Sequence, residues 1–311
     1  MSKIFVIIAV IVFAANIYSQ NARIANEYNE RGLERYEKGD YDAAIADFTR
    51  AIELTSQLES KDRILRNNLS AGGGSVSEAF LGEGIRVIDP RTAASYTNRG
   101  KAFLAKGDTD TAIGDFNRAL NISPGLAAAY FCRATAWLIK NDPDRALADY
   151  KKVLKIDPKF VQGYIGRGMA RLDKGDTQTA FEDFNQAIKL APNNGDNYYH
   201  RGDARRLTGD ATGALADFEH AIRMDPQLAN PYLGRGTISF YKRDFVAAIK
   251  DFTKAIDLDG RLAQAYANRG LACLIQGKSA EAEKDFNRAV AIAPGMRAEI
   301  DANVRIIKSW K

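Results

Sequence analysis

Arg99, Arg133, Arg167, Arg201, Arg235 and Arg269, with Asp115, Asp149, Asp183, Asp217, Asp251 and Asp285, are the residues whose types and spacing invite a chemical reading. Each series advances in unbroken steps of 34 residues. Guanidinium groups left unpaired would bind anions; the same groups set against carboxylates form charge-assisted, bidentate pairs. Residue 107 lies midway between Arg99 and Asp115, and residue 124 midway between Asp115 and Arg133. If both midpoints are turns between antiparallel helices, Asp115 stands level with both arginines. The sequence leaves open which one it prefers, so an alternating ladder of guanidinium and carboxylate groups is the expectation.

An earlier copy carries Arg31 and Asp47, two steps before Arg99 and Asp115. In the intervening stretch, residues 59–92, Leu65 and Leu81 fall where the two columns would stand. Both charges vanish together, which favours a structural pair over a ligand site.

The elements that must position these columns are short helices. Apolar residues at helical spacing flank Gly-Asp pairs at Gly107-Asp108, Gly175-Asp176 and Gly209-Asp210, which read as a helix stop followed by an N-cap. Proline closes the copies at Pro124, Pro158, Pro192, Pro226 and Pro294. Each copy is therefore a helical hairpin. The arginine is followed by glycine at Gly100, Gly168, Gly202, Gly236 and Gly270. Glycine inside a helix costs about 1 kcal/mol relative to alanine, so these positions imply packing that a β-carbon would prevent.

Other chemistries are poorly served. His200 and His220 lack the neighbouring spacing of a metal site, no G-x-S-x-G frame is present, and Cys132 and Cys273 read as buried thiols in separate repeats. Gly72, Gly73 and Gly74 are not followed by the Lys-Ser/Thr pair that a phosphate loop requires, and read as a loop. With 44 basic against 39 acidic residues and a net charge of +5, nucleic acid is not an expected partner. No catalytic residue, metal ligand or cofactor is expected. At the start, Lys3 precedes an uninterrupted apolar run over 4–15 and then a polar segment, a signal-peptide pattern too short to span a bilayer.

At this level the chain resembles the tetratricopeptide repeat family, through Tyr96, Arg99, Gly100, Phe103, Ala112, Phe116 and Pro124 and their counterparts 34 residues apart. Tyrosine replaces the pattern's tryptophan, and arginine replaces its leucine. The resemblance implies an all-α fold: a right-handed superhelical solenoid of antiparallel helix pairs with a C-terminal capping helix. The expected organisation is a signal peptide at 1–19, uncleaved anchoring being the alternative, and a first repeat at 25–58. A degenerate repeat at 59–92, six regular repeats at 93–296 and a capping helix at 297–311 follow. In that last segment Ile300, Val304 and Ile307 share one side.

The same resemblance implies a concave face made by the first helix of each hairpin. Phe131, Ile165, Met169, Tyr199, Leu233 and Phe240 fall there as a candidate groove for a polypeptide partner. The carboxylate-gripping residues known in this family are not matched, since Phe131, Thr135, Ile165 and Met169 stand at those points. The expected role is an exported, periplasmic or secreted, noncatalytic interaction scaffold without stable membrane insertion once the signal is removed. A subunit assisting an envelope enzyme, and a binder of anionic glycan or lipid headgroups, are the alternatives.

Overall fold

A computed structural model describes residues 3–71 and 90–309, with side chains placed over 20–56 and 91–309. The described residues form fifteen α-helices and one 3-10 turn, with no strand. They fall into two compact units, residues 1–160 and 161–311. Among the described residues, no helix is long and apolar enough to cross a membrane.

In the first unit, α1 (Lys3–Glu37) pairs with α2 (Tyr41–Ala71), α3 (Pro90–Ala105) with α4 (Thr109–Ile122), and α5 (Ala127–Ile139) with α6 (Pro143–Ile156). In the second, α7 (Val161–Asp173) pairs with α8 (Thr177–Leu190), and α9 (Gly195–Leu207) with α10 (Ala211–Met224). Next, α11 (Ala229–Tyr241) pairs with α12 (Phe245–Leu258) and α13 (Ala263–Ile275) with α14 (Ser279–Ile292), before α15 (Arg297–Lys308). These antiparallel pairs are the hairpins that the 34-residue spacing predicts.

Turn chemistry sets the hairpin boundaries. Gly107 and Gly209 take φ of +85° and +90°, the left-handed conformation that ends a helix without steric cost. The following aspartates cap the second helix: Asp108 accepts from the Thr111 amide and Asp210 from the Gly213 amide. Asn141 and Arg243 adopt the same left-handed conformation without being glycine.

Each hairpin then closes on a small residue and a ring. Ala112, Ala180, Ala214 and Ala248 are fully buried, as are Phe116, Phe184, Phe218 and Phe252. A β-carbon on Gly100 would lie 2.6 Å from Phe116 Cε1, and one on Gly236 would lie 2.8 Å from Phe252 Cε1. The glycine after each arginine therefore makes room for the phenylalanine of its own hairpin. In the α5–α6 hairpin Ala134 and Tyr150 replace the pair, and the Tyr150 hydroxyl lies 3.3 Å from Thr135 Oγ1.

The first hairpin departs from the 34-residue frame. Residues 59–71, the start of the expected degenerate repeat, continue α2 as one helix, and α3 packs directly against α2. The glycine-rich stretch at 72–84 and Leu81 lie outside the described residues, as does the side chain of Leu65. Pro90 occupies the first position of α3, where its missing N–H is no loss, whereas Pro124 lies in the connection before α5. At the far end Ile300 and Ile307 are buried and Val304 packs beside them, so α15 covers the last hairpin as its apolar side predicts. Trp310 lies outside the described residues.

Candidate functional site

The arginine and aspartate columns meet within hairpins. Arg99, Arg133, Arg167, Arg201, Arg235 and Arg269 each donate through Nε and Nη2 to both carboxylate oxygens of the aspartate 16 residues on. Their partners are Asp115, Asp149, Asp183, Asp217, Asp251 and Asp285, all buried, and Arg31 makes the same fork on Asp47. The expected alternation of arginine and aspartate along the array is thus corrected: each carboxylate is gripped by the arginine of its own hairpin. The planar guanidinium matches both oxygens at once, and the next repeat's arginine makes its own fork on its own aspartate.

The link between neighbouring hairpins uses a residue that the column analysis overlooked. Arg133 Nη1 donates to Asn117 Oδ1 at 2.6 Å and Arg201 Nη1 to Asn185 Oδ1 at 2.8 Å. Thr49 accepts in the same way from Arg99, and Thr253 from Arg269, both at 3.1 Å. All four acceptors stand two residues after the conserved-spacing aspartate, a signal that the sequence contained.

Two further features were also missed. Seven tyrosines, Tyr28, Tyr96, Tyr130, Tyr164, Tyr198, Tyr232 and Tyr266, lie under the arginine three residues later, with ring centres 4.8–5.7 Å from the guanidinium carbon. The i, i+3 spacing on one helix face was the available clue. Second arginines also reach four of the carboxylates, Arg35 to Asp47, Arg118 to Asp115, Arg171 to Asp183 and Arg205 to Asp217. The hydrogen bonds raise the pKa of Arg235 and Arg269, so the fork stays charged. These groups form a closed structural set instead of a row of free cations.

The candidate groove residues divide. In the second unit Tyr199, Leu233 and Phe240 come together in a cavity of about 510 Å³, bounded by α9, α11, α13 and the capping helix α15. Three of the six predicted groove residues therefore share one site. Ile165 is 7% exposed in a core cluster with Phe184 and Ala204, and is a packing residue because its side chain is enclosed by its own hairpin and the next. Met169 is exposed outside that cavity, at 44%. In the first unit Phe131 packs against the rings of Tyr150 and Phe160, with centroids 5.9 and 5.3 Å away.

Polar groups complete the cavity. Gln264 donates to Asn268 Oδ1 at 3.0 Å, Asn268 to Thr237 Oγ1 at 3.4 Å, and Thr237 to the Leu233 carbonyl at 2.8 Å. Asn230 and Asn303 add two more amides to the wall. Arg206 spends Nε and Nη2 on one oxygen of Asp203, at 2.9 and 2.7 Å. Burial pushes the Tyr199 phenol up to about 12, with Asp203 and Asp196 adding to the shift, so it remains a neutral donor.

The groups considered for other chemistry lie apart. His220 stacks on Tyr198 at 3.9 Å between centroids, and burial lowers the pKa of His200 beside Tyr199. Cys132 and Cys273 are free thiols, both buried, and burial raises the Cys132 thiol to about 11. Among the described residues no group of three His, Cys, Asp or Glu side chains is placed to hold a metal.

Comparison with known proteins agrees with this architecture. Descriptions of the tetratricopeptide repeat match residues 28–58 and 93–126, residues 127–160 and 263–296, and residues 165–229, together more than half of the chain. The chain belongs to the tetratricopeptide repeat family. Heat shock protein STI1 of Saccharomyces cerevisiae is 34% identical over 103 residues, covering 32% of this chain and 17% of STI1. A tetratricopeptide repeat protein from Parabacteroides merdae superposes with a TM-score of 0.65 at 18% identity, over 92% of this chain and 99% of that one. Yeast Tom70 gives 0.59 at 18% identity, over 92% and 64%. The Cut9–Hcn1 assembly gives 0.62 at 16%, over 94% and 54%. These structural likenesses establish the tetratricopeptide fold.

Proposed function

We propose that this tetratricopeptide repeat protein is an exported, noncatalytic scaffold that binds a polypeptide in the second-unit groove. The observation that carries the reading is the convergence of Tyr199, Leu233 and Phe240 with uncharged amides in one open cavity on the first helices. Apolar surface supplies the binding energy, and amides, each both donor and acceptor, suit a peptide backbone. Export is supported by Lys3 and the apolar run over 4–15.

A photo-crosslinking residue placed at Thr237 tests the reading in cells, against the same residue at Lys254 on the exposed face of α12. The expected result is a polypeptide adduct from Thr237 that is absent from Lys254 and lost in Phe240→Asp. Equal labelling from both positions, or none from Thr237, would overturn it. For export, N-terminal sequencing of the mature protein is expected to begin at Gln20.

A further inference from the structure

The groove walls carry charge of one prevailing sign. Asp203 and Glu299 both line the cavity, at its α9 and α15 sides. Asp196, one turn before Tyr199, acts electrostatically on the same phenol and on His200. Against these three carboxylates stands the guanidinium of Arg206, and both nitrogens it contributes lie on Asp203 Oδ1. Among the described residues, the Arg206 bonds fall on Asp203 Oδ1 alone, and no hydrogen bond or ion pair is made to the Glu299 carboxylate. The floor between them is neutral, made by Leu233, Thr237, Asn268 and Leu271.

We infer that the occupant of this groove is an extended polypeptide segment with lysine or arginine flanking an uncharged, partly apolar centre. The inference rests on the groove reading above and adds the chemistry of the ligand. A cation at either end of the segment meets an acceptor whose lone pairs are unspent, and charge-assisted hydrogen bonds of that kind are the stronger class. The amides of Asn230, Gln264 and Asn303 face the backbone between. Three steps from α9 through α11 and α13 to the capping helix α15, at roughly 8–10 Å between axes, separate the two carboxylates by about 25–30 Å. An extended chain rises by roughly 3.3 Å per residue, so the two cations stand about eight positions apart. An acidic segment would meet Asp203 and Glu299 as like charges across a low-dielectric floor.

The test is fluorescence anisotropy on the full chain with two labelled nonapeptides. One is Lys-Leu-Thr-Val-Asn-Leu-Thr-Val-Lys; its twin carries Glu at both ends. Binding of the lysine peptide at least tenfold tighter than its twin is expected at low salt, with the gap narrowing as ionic strength rises. Glu299→Gln, which breaks no ion pair within the protein, is expected to reduce that preference severalfold. Asp203→Asn combined with Glu299→Gln is expected to abolish it while leaving the helical circular dichroism spectrum unchanged. Equal affinity for the twins would overturn the charge inference and leave the groove reading standing. Binding of neither peptide, or of both undiminished in Phe240→Asp, would overturn the two readings together.

Discussion

Arg235 grips both oxygens of Asp251 through Nε and Nη2, at 2.8 and 2.7 Å, across a single helical hairpin. Among the described residues no second arginine reaches this carboxylate, which is 6% exposed, whereas Asp183 is shared by Arg167 and Arg171. The pair is therefore the cleanest place to measure what the repeated fork contributes. Arg235→Leu is expected to cost about 3 kcal/mol, at the low end for a broken buried pair because Arg235 is partly exposed. Arg235→Leu with Asp251→Leu is expected to recover much of that loss in a urea unfolding series. The corresponding change at Arg167 is expected to be milder, because Arg171 still compensates Asp183.

Two glycines inside helices are expected to respond to alanine with opposite sign. At Gly236 the added β-carbon would meet the Phe252 ring and lie 3.1 Å from Asp251 Cβ, and overpacking of this kind costs about 1–3 kcal/mol. At Gly114, in α4, nothing lies within 4 Å of the added carbon, so Gly114→Ala is expected to stabilise by about 1 kcal/mol through helix propensity alone. Thermal unfolding of the two variants side by side checks both signs.

Arg243 turns the α11–α12 hairpin at φ +64°, where the equivalent residues of other hairpins are glycine or, at position 141, asparagine. An L side chain in this region costs about 1–2 kcal/mol. Arg243→Gly is expected to raise the unfolding midpoint, with the gain trimmed by the greater freedom of glycine in the unfolded chain. A lower midpoint would show that the arginine side chain contributes more than its backbone strain costs.

The Cys132 thiol, 8% exposed, is raised by burial to about 11 from an ordinary value near 9. In native protein at pH 8 it is expected to react with iodoacetamide at least tenfold more slowly than in 6 M urea, because the thiolate is the nucleophile. The folded state holds this proton more tightly than the unfolded chain does. Its contribution to stability is therefore fully present below about pH 9 and is lost as pH rises toward 11. Cys132→Ala is expected to flatten the fall in unfolding midpoint over that interval.

How much of this was legible beforehand depended on whether a feature repeats. The hairpins, their caps and the fork follow from residues at constant spacing, since a contact made many times writes itself many times into the chain. Pairing direction did not follow, because Asp115 is level with two arginines and only side-chain geometry breaks the tie. The tyrosine stack and the Asn and Thr links were written at the same spacing, but their chemistry was masked by the louder charges. The groove was half legible: Tyr199, Leu233 and Phe240 could be placed on one face by helical phase. Ile165 could not be separated from them, since phase does not tell how far the next hairpin leans over a side chain. The extension of α2 through Ala71 was hidden because residues 59–71 keep a helical pattern, which reads equally as a new helix or as the old one prolonged.

Because each carboxylate is neutralised inside its own hairpin, a repeat is electrically complete before it meets a neighbour. Gaining or losing 34 residues then orphans no buried charge, and any junction it creates asks chiefly for a matching apolar side, the Asn or Thr acceptor being present at four junctions and replaced by Lys151 and Glu219 at two. The contact of α2 with α3, made across a stretch that carries neither arginine nor aspartate at the column positions, is that tolerance in use. A chain built this way can lengthen, shorten or lose a unit over generations while the hairpins that hold the groove keep the same internal accounts.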